Sequence, residues 1–163
     1  MITIQETTRD DLRSIQALWA DGDVMKFVGF PEGLHETYEN LERWLVRLEA
    51  ARPRRNHYSV YEDGVYCGEA FYDIDPAHGD SAALDIKLFA FARGRGIATQ
   101  ALSHAIDAAF ANGAHSVWVD PNPANAKAIA LYERLGFERR PMPAHLIEDG
   151  EAPVSIYMEL QRR

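Results

Sequence analysis

Residues 84–113, LDIKLFAFARGRGIATQALSHAIDAAFANG, leave few folds open: an apolar strand runs into a basic glycine loop, and the loop opens an amphipathic helix. Ala98, Ala101, Leu102, Ala105, Ile106, Ala109 and Phe110 recur at i, i+3, i+4, i+7 spacing, and Asn112-Gly113 supplies the stop. A strand followed at once by such a helix predicts a right-handed crossover, so the apolar run 116–119 is expected as a strand parallel to the one at Leu84. In the turn, Gly94 and Gly96 remove Cβ atoms where backbone must come close to a partner. Arg93 and Arg95 flank bare N–H groups at the positive end of the helix. The segment 94–99 therefore suits a phosphate or pyrophosphate, although glycine-rich strand-to-helix turns also occur without a ligand.

Elsewhere the chain alternates strands and helices. Ile2 and Ile4 predict a first strand, and Thr8 with Asp11 resembles a capping box before a helix carrying Leu12, Ile15, Leu18 and Trp19. Residues 21–33, DGDVMKFVGFPEG, read as an irregular loop whose Met25, Phe27, Val28 and Phe30 either line a pocket or cover the core. A helix is expected over 36–51, and strands over 57–61 and 65–74 about the Asp63-Gly64 turn. A further strand is expected over 82–89. Asn122 and Pro123 predict the N-cap and first residue of a helix ended by Gly136, and strands over 137–140 and 154–160 close the chain. The order implies one α/β domain over 1–163: a mixed, mainly antiparallel sheet with one parallel pair and helices on its faces.

Hydrophobic residues make up 47% and charged residues 26%, values usual for a globular protein. A net charge of -8 argues against a nucleic-acid partner. No run is apolar enough for a membrane span, and the N-terminal residues carry no export signal pattern, so a cytoplasmic location is expected. Cys67 is single and has no disulfide partner within the chain. His35, His57, His78, His104, His115 and His145 are scattered without metal-ligand spacing, so no metal is expected, and His104 is expected on a solvated helix face.

Two enzyme classes fit the strand, glycine loop and helix. In a dinucleotide fold, Gly94 and Gly96 would hold the pyrophosphate and Asp120 the ribose, but Thr99 stands at the third glycine position and the chain has few βαβ units. In the other, Arg93-x-x-Gly96-x-Ala98 resembles the acetyl-CoA signature of the GNAT superfamily of N-acetyltransferases. Asn122-Pro123-Ala124-Asn125-Ala126-Lys127-Ala128-Ile129-Ala130-Leu131-Tyr132-Glu133-Arg134-Leu135-Gly136-Phe137 is similar to its second motif. The resemblance covers the chain from about Glu62 onward. LDIKL and VDPNPANAKAIALYERLGFE are similar to the aminoglycoside 6′-N-acetyltransferase group and its ribosomal-protein-acetylating relatives.

The resemblance implies a GNAT-like fold with the parallel pair at the cofactor cleft and acetyl-CoA as co-substrate. It implies direct attack by the primary amine of a small molecule, aminoglycoside-like and polycationic in one version, or by a protein or peptide N-terminus. A non-catalytic acyl-CoA sensor and a homodimer are compatible with it. Leu88, Phe89 and Ala90 would pair with pantetheine. Arg93, Gly94, Arg95, Gly96, Ile97, Ala98, Thr99 and Asn125 would contact the cofactor, and Tyr132 would protonate the leaving thiolate. Asp85, a charge in the apolar strand LDIKLF, is the first candidate for the base, with a surface pairing to Lys87 or an arginine as the competing role. Asp120 is the second, as base or as ammonium anchor, against a plain turn-forming role before Pro121. Glu69 and Asp73 are weaker options for the base, and Glu69 and Phe27 are weaker substrate candidates. Acceptor specificity is expected in the loops 21–33 and 141–153.

Overall fold

A computed structural model describes residues 1–147 and 154–162. Seven strands form one sheet: Ile2–Glu6 (β1), Arg55–Glu62 (β2), Val65–Asp75 (β3), Ser81–Leu88 (β4), Ser116–Val119 (β5), Glu138–Arg139 (β6) and Met158–Gln161 (β7). Their order is β1-β2-β3-β4-β5-β7-β6, and only β4 and β5 pair in parallel. This is the mixed, mainly antiparallel sheet that the element order implies, and it is not the doubly wound parallel sheet of a dinucleotide fold.

The helices are Leu12–Ala20 (α1), Gly22–Met25 (α2), Tyr38–Ala51 (α3), Ile97–Ala111 (α4) and Ala126–Arg134 (α5). Alternation along the strands sends two sets of side chains to opposite faces. Tyr58, Val60, Ala70, Tyr72, Ala82, Leu84, Val117 and Val119 pack with Leu102, Ile106, Ile129 and Tyr132 of α4 and α5. On the other side of the chain's core, Leu12, Ile15 and Leu18 of α1 meet Leu41, Leu45 and Leu48 of α3 around Tyr66. Each helix buries the stripe that its periodicity predicts.

Local chemistry moved several boundaries. Asp11 Oδ2 accepts the Thr8 N–H at 2.8 Å, as a capping box requires, but a 3₁₀ turn over Arg9–Asp11 precedes α1. The expected loop 21–33 contains α2 because Asp21 Oδ1 accepts the N–H of Asp23 at 2.9 Å and so starts a helical turn. Met25 goes to the core, whereas Val28 and Phe30 stay exposed. The last helix begins at Ala126, later than Asn122 and Pro123 suggest. Asn122 Oδ1 bonds the N–H of Ala124 at 2.9 Å in a local turn, and Asn125 Oδ1 caps the helix through Ala128 N at 3.3 Å. The closing strands are shorter than 137–140 and 154–160, and positions 148–153 of the expected specificity loop lie outside the described residues.

Gly68 sits where β2 slips register opposite β3, and a Cβ there would lie 2.0 Å from the Lys87 carbonyl oxygen and 2.8 Å from Leu88 Cα. Gly68→Ala must push the end of β4 away. It is expected to cost about 1–3 kcal/mol of stability in urea denaturation, and a loss below the error of that measurement would remove the steric argument.

Candidate active site

The parallel pairing of β4 with β5 ends at Ala83 opposite Trp118, yet β4 runs on to Leu88. The two strands therefore part, and beyond Ala83 the edge of β4 that faces β5 has no strand partner. Three site residues gather at this fork. Asp85 lies on β4 just beyond the last paired residues, Asp120 directly follows β5, and Tyr132 reaches the cleft from α5 with 6% of its surface exposed. Their proximity is electrostatic as well as topological. Burial, then the charges of Asp85 and Asp120, push the Tyr132 phenol well above its ordinary range. Crowding by the protein, then the charge of Asp85, raises the Asp120 carboxyl.

Asp85 carries both roles set out from the sequence. It stands at the fork, and its Oδ2 accepts from Lys87 Nζ while its Oδ1 accepts the Ile86 N–H at 2.9 Å. The Asp120 carboxylate has no ion-pair partner within 4.0 Å among the described residues, which makes it the freer of the two to take a proton.

Beyond the fork, Gly94 and Gly96 adopt φ of 78° and 80°, the left-handed region that glycine enters without strain. No protein atom lies within 4 Å of a Cβ built at either glycine, so the loop backbone borders open space. Gly96 precedes α4 and offers no capping side chain, which leaves the N–H groups of Ile97, Ala98 and Thr99 facing outward. An anionic cofactor fits this cradle. The arginines contribute differently from the expectation that they flank an anion. Arg93 donates to Asp23 Oδ2 at 2.8 Å and to the Leu88 carbonyl at 3.0 Å, and Arg95 pairs with Glu62, so both brace the loop against α2 and β2. Of the proposed pantetheine edge, the Phe89 N–H is engaged by the Cys67 carbonyl at 3.0 Å, while Ala90 opens a short 3₁₀ turn.

Glu69 is enclosed within the fold. It is 4% exposed, and its two oxygens are taken by His57 Nε2 and Trp19 Nε1. His57 Nδ1 in turn bonds Thr7 Oγ1 at 2.6 Å, and Thr7 bonds Ser59 Oγ at 2.7 Å. Lys87 lies directly across from Glu69 in the β3–β4 register, so the buried chain ends at Asp85. Sequence reasoning missed His57, Trp19 and Lys87 as a unit. The signal available was polar His57 and Ser59 alternating with the core-facing Tyr58 and Val60 on β2. Asp73 pairs with Arg54 at 2.7 Å, and Phe27 is half-buried with Lys26 Nζ 5.3 Å from its ring. His104 is exposed on its helix, as expected, and its ring meets Tyr58 edge-on at 4.6 Å.

On the face of β4 that carries Asp85, a cavity of about 310 Å³ opens between Ala83, Trp118, Asp73, Arg54, His145 and Leu146. Asp85 follows Ala83 by two residues and so shares its face of β4, but it is not among the residues that line the cavity.

A splayed parallel pair, a glycine cradle at a helix start and a buried phenol near two carboxylates thus lie together at one end of the sheet. The chain belongs to the GNAT acetyltransferase family: residues 2–138 match the family model described as Acetyltransferase (GNAT) domain. Acetyl-CoA is the co-substrate of that family. The fold is similar to that of a ribosomal-protein-alanine N-acetyltransferase from Brucella melitensis, with 23% identity, TM-score 0.79, and coverage of 98% of this chain and 99% of that one. It is equally similar to a spermidine N-acetyltransferase from Vibrio cholerae in complex with CoA and spermine, with 21% identity, TM-score 0.79, and coverage of 98% and 95%. A phosphinothricin acetyltransferase from Sinorhizobium meliloti in complex with acetyl-CoA gives 22% identity, TM-score 0.79, and coverage of 98% and 88%. Among curated proteins no significant sequence match was found. No helix among the described residues is long and apolar enough to cross a membrane.

Proposed function

We propose that the protein transfers the acetyl group of acetyl-CoA to the primary amine of a small molecule by direct attack, with Tyr132 as the acid and the Asp85–Asp120 pair receiving the amine. The observation that carries this reading is the convergence of those three groups at the fork of β4 and β5. Backbone N–H groups of 94–99 hold the pyrophosphate, and the unpartnered edge of β4 lines pantetheine like an added strand. Asn125, whose side-chain oxygen caps α5, has its amide N–H₂ left for the cofactor.

The amine arrives as an ammonium ion, which two carboxylates attract. Asp120, with its raised pKa and no ion-pair partner among the described residues, takes one proton, directly or through water, and the freed nitrogen attacks the thioester carbon. The carbon–sulfur bond then breaks, Tyr132 gives its proton to the sulfur, and the second proton shed by the acylated nitrogen returns to the Tyr132 oxygen, directly or through water. A phenol held this high is protonated at every working pH, but it is a weak donor while two anions stand beside it. Protonation of Asp120 removes one of those charges, so the first proton transfer makes the second easier.

A cavity of about 310 Å³ on the Ala83 face of β4, near the lower end of small-ligand pockets, supports a small acceptor over a protein N-terminus. Two of the fold's relatives are described as acetyltransferases of spermidine and phosphinothricin, both small amines. Thermal shift assays with acetyl-CoA and with NAD(P)H test the cofactor, and only acetyl-CoA is expected to raise the melting temperature. CoA release across a panel of small amines and N-terminal peptides tests the acceptor. Stabilisation without release from any amine would make the protein an acyl-CoA sensor instead.

A further inference from the structure

The histidines that the sequence scatters are not scattered in space. Asp75 ends β3, His78 closes the 3₁₀ turn Pro76–His78, and His145 comes from the turn Ala144–Leu146 beyond β6. His78 Nδ1 bonds Asp75 Oδ2 at 2.6 Å. The His145 ring lies over the His78 ring with centroids 3.7 Å apart and planes 6° from parallel. One ligand atom from each of the three residues falls within 4.8 Å of the others.

We infer that Asp75, His78 and His145 form a binding site for one divalent transition-metal ion, with zinc as its best match. Two imidazole nitrogens and one carboxylate oxygen are the donor set of zinc, nickel or copper, whereas magnesium and calcium take oxygen-rich sets. Around a tetrahedral zinc with bonds of about 2.0–2.2 Å, ligand atoms stand about 3.4 Å apart. The widest of the present separations must therefore close by up to about 1.4 Å, which side chains on the surface can do. The Asp75 and His78 side chains are 44% and 43% exposed, and His145 is exposed. The nearby Arg54 offers little repulsion, since Asp73 already pairs with it at 2.7 Å.

The ion would replace a single hydrogen bond and a ring stack with three coordination bonds, and it would do so at a joint. Asp75 and His145 also line the cavity beside β4. A bound ion would fasten the turn carrying His145 and Leu146 to the end of β3 and hold that wall of the cavity in place. Metal binding itself does not depend on the acetyl-transfer reading.

The test is calorimetric titration of Zn²⁺, with Mg²⁺ as control, into tag-free, chelator-stripped full-length protein. One Zn²⁺ per chain is expected, with no saturable heat from Mg²⁺, and Co²⁺ should give the visible absorption of a tetrahedral nitrogen–oxygen site. His145→Ala is expected to weaken Zn²⁺ at least about tenfold, since losing even an outer-shell partner costs that much. The double variant His78→Ala/His145→Ala should abolish binding while keeping the wild-type circular dichroism spectrum and its melting temperature in chelator. Absence of saturable Zn²⁺ binding by the wild type overturns the proposal, as does undiminished binding by either variant.

Discussion

Tyr132→Phe is expected to lower kcat for CoA release by about 10²–10⁴, the usual range for losing a positioned general acid, and to leave acetyl-CoA affinity unchanged. The substitution removes one oxygen and keeps the ring, which is buried against Phe137 at a centroid distance of 5.7 Å. Folding and cofactor binding should therefore survive, and the loss should fall on the step in which thiolate leaves. The magnitude follows from what the phenol does. In water a phenol near pKa 10 protonates a thiolate near 8.5 at a cost of about 2 kcal/mol. Here burial and then Asp85 and Asp120 raise the phenol further, so the transfer is harder until the amine's charge and proton reach the carboxylates. Asp120→Asn should accordingly act on both halves of the reaction, raising KM for the cationic amine and lowering kcat, whereas Tyr132→Phe acts on kcat alone. Steady-state CoA release with any accepted amine, alongside calorimetry of acetyl-CoA binding, separates the two patterns. A Tyr132→Phe enzyme with wild-type turnover would leave the thiolate to solvent and end the phenol's role.

The parts of this site that could be read from the chain are those whose cause is local. The periodicity of 97–111 and the paired glycines before it depend on neighbours in sequence, and the structure keeps α4 and both left-handed glycines. Asp85 was legible because a carboxylate inside an apolar strand needs a reason. Its bond to Lys87, two residues on, was legible because the period of a strand places both on one face. The start of α5 was misplaced because Asn122 and Asn125 are both good caps, and the Asn122 side chain is taken up in a local turn with Ala124, which leaves Asn125 to cap the helix. What could not be read are the convergences. Trp19 from α1, His57 from β2, Glu69 from β3 and Lys87 from β4 become neighbours only through sheet register and the seating of α1. His78 and His145 meet because one loop crosses the end of another strand pair. The same applies to the arginines: their charge suggested an anion, and their partners Asp23 and Glu62 come from distant segments.

Glu69→Ala should remove about 3–5 kcal/mol of folding stability at neutral pH, the cost of breaking a buried ion pair by deleting one partner. The carboxylate is fully enclosed and holds three elements together. It accepts from His57 on β2 and from Trp19 on α1, and it faces Lys87 on β4. The Trp19 ring meets Trp44 edge-on at 5.4 Å, and Trp44 meets His57 at 4.9 Å, so the polar centre is sealed by aromatic rings and has no water to replace a lost partner. Burial by itself would push the Glu69 carboxyl up. The charge and hydrogen bond of His57, then Lys87 and Trp19, outweigh it and hold the group down to about 2. The ammonium of Lys87 answers in kind: burial would lower it, and Asp85 and Glu69 raise it. The sign of the pH dependence follows. A carboxyl held below its ordinary value of 4.5 contributes stability that is fully present above that value and is lost as pH falls toward about 2. Wild type and Glu69→Ala should therefore differ most near pH 7 and converge as the solution is acidified through that window. Glu69→Gln should fall between them, because its carbonyl can still accept from Trp19 or His57 while the charge that balances Lys87 is gone. Urea denaturation at several pH values reads all three curves. A difference that stays constant from pH 7 to pH 3, or one below about 1 kcal/mol at pH 7, would show that packing of the helices on the sheet, and not this buried charge, sets the stability of the α1–β3 junction.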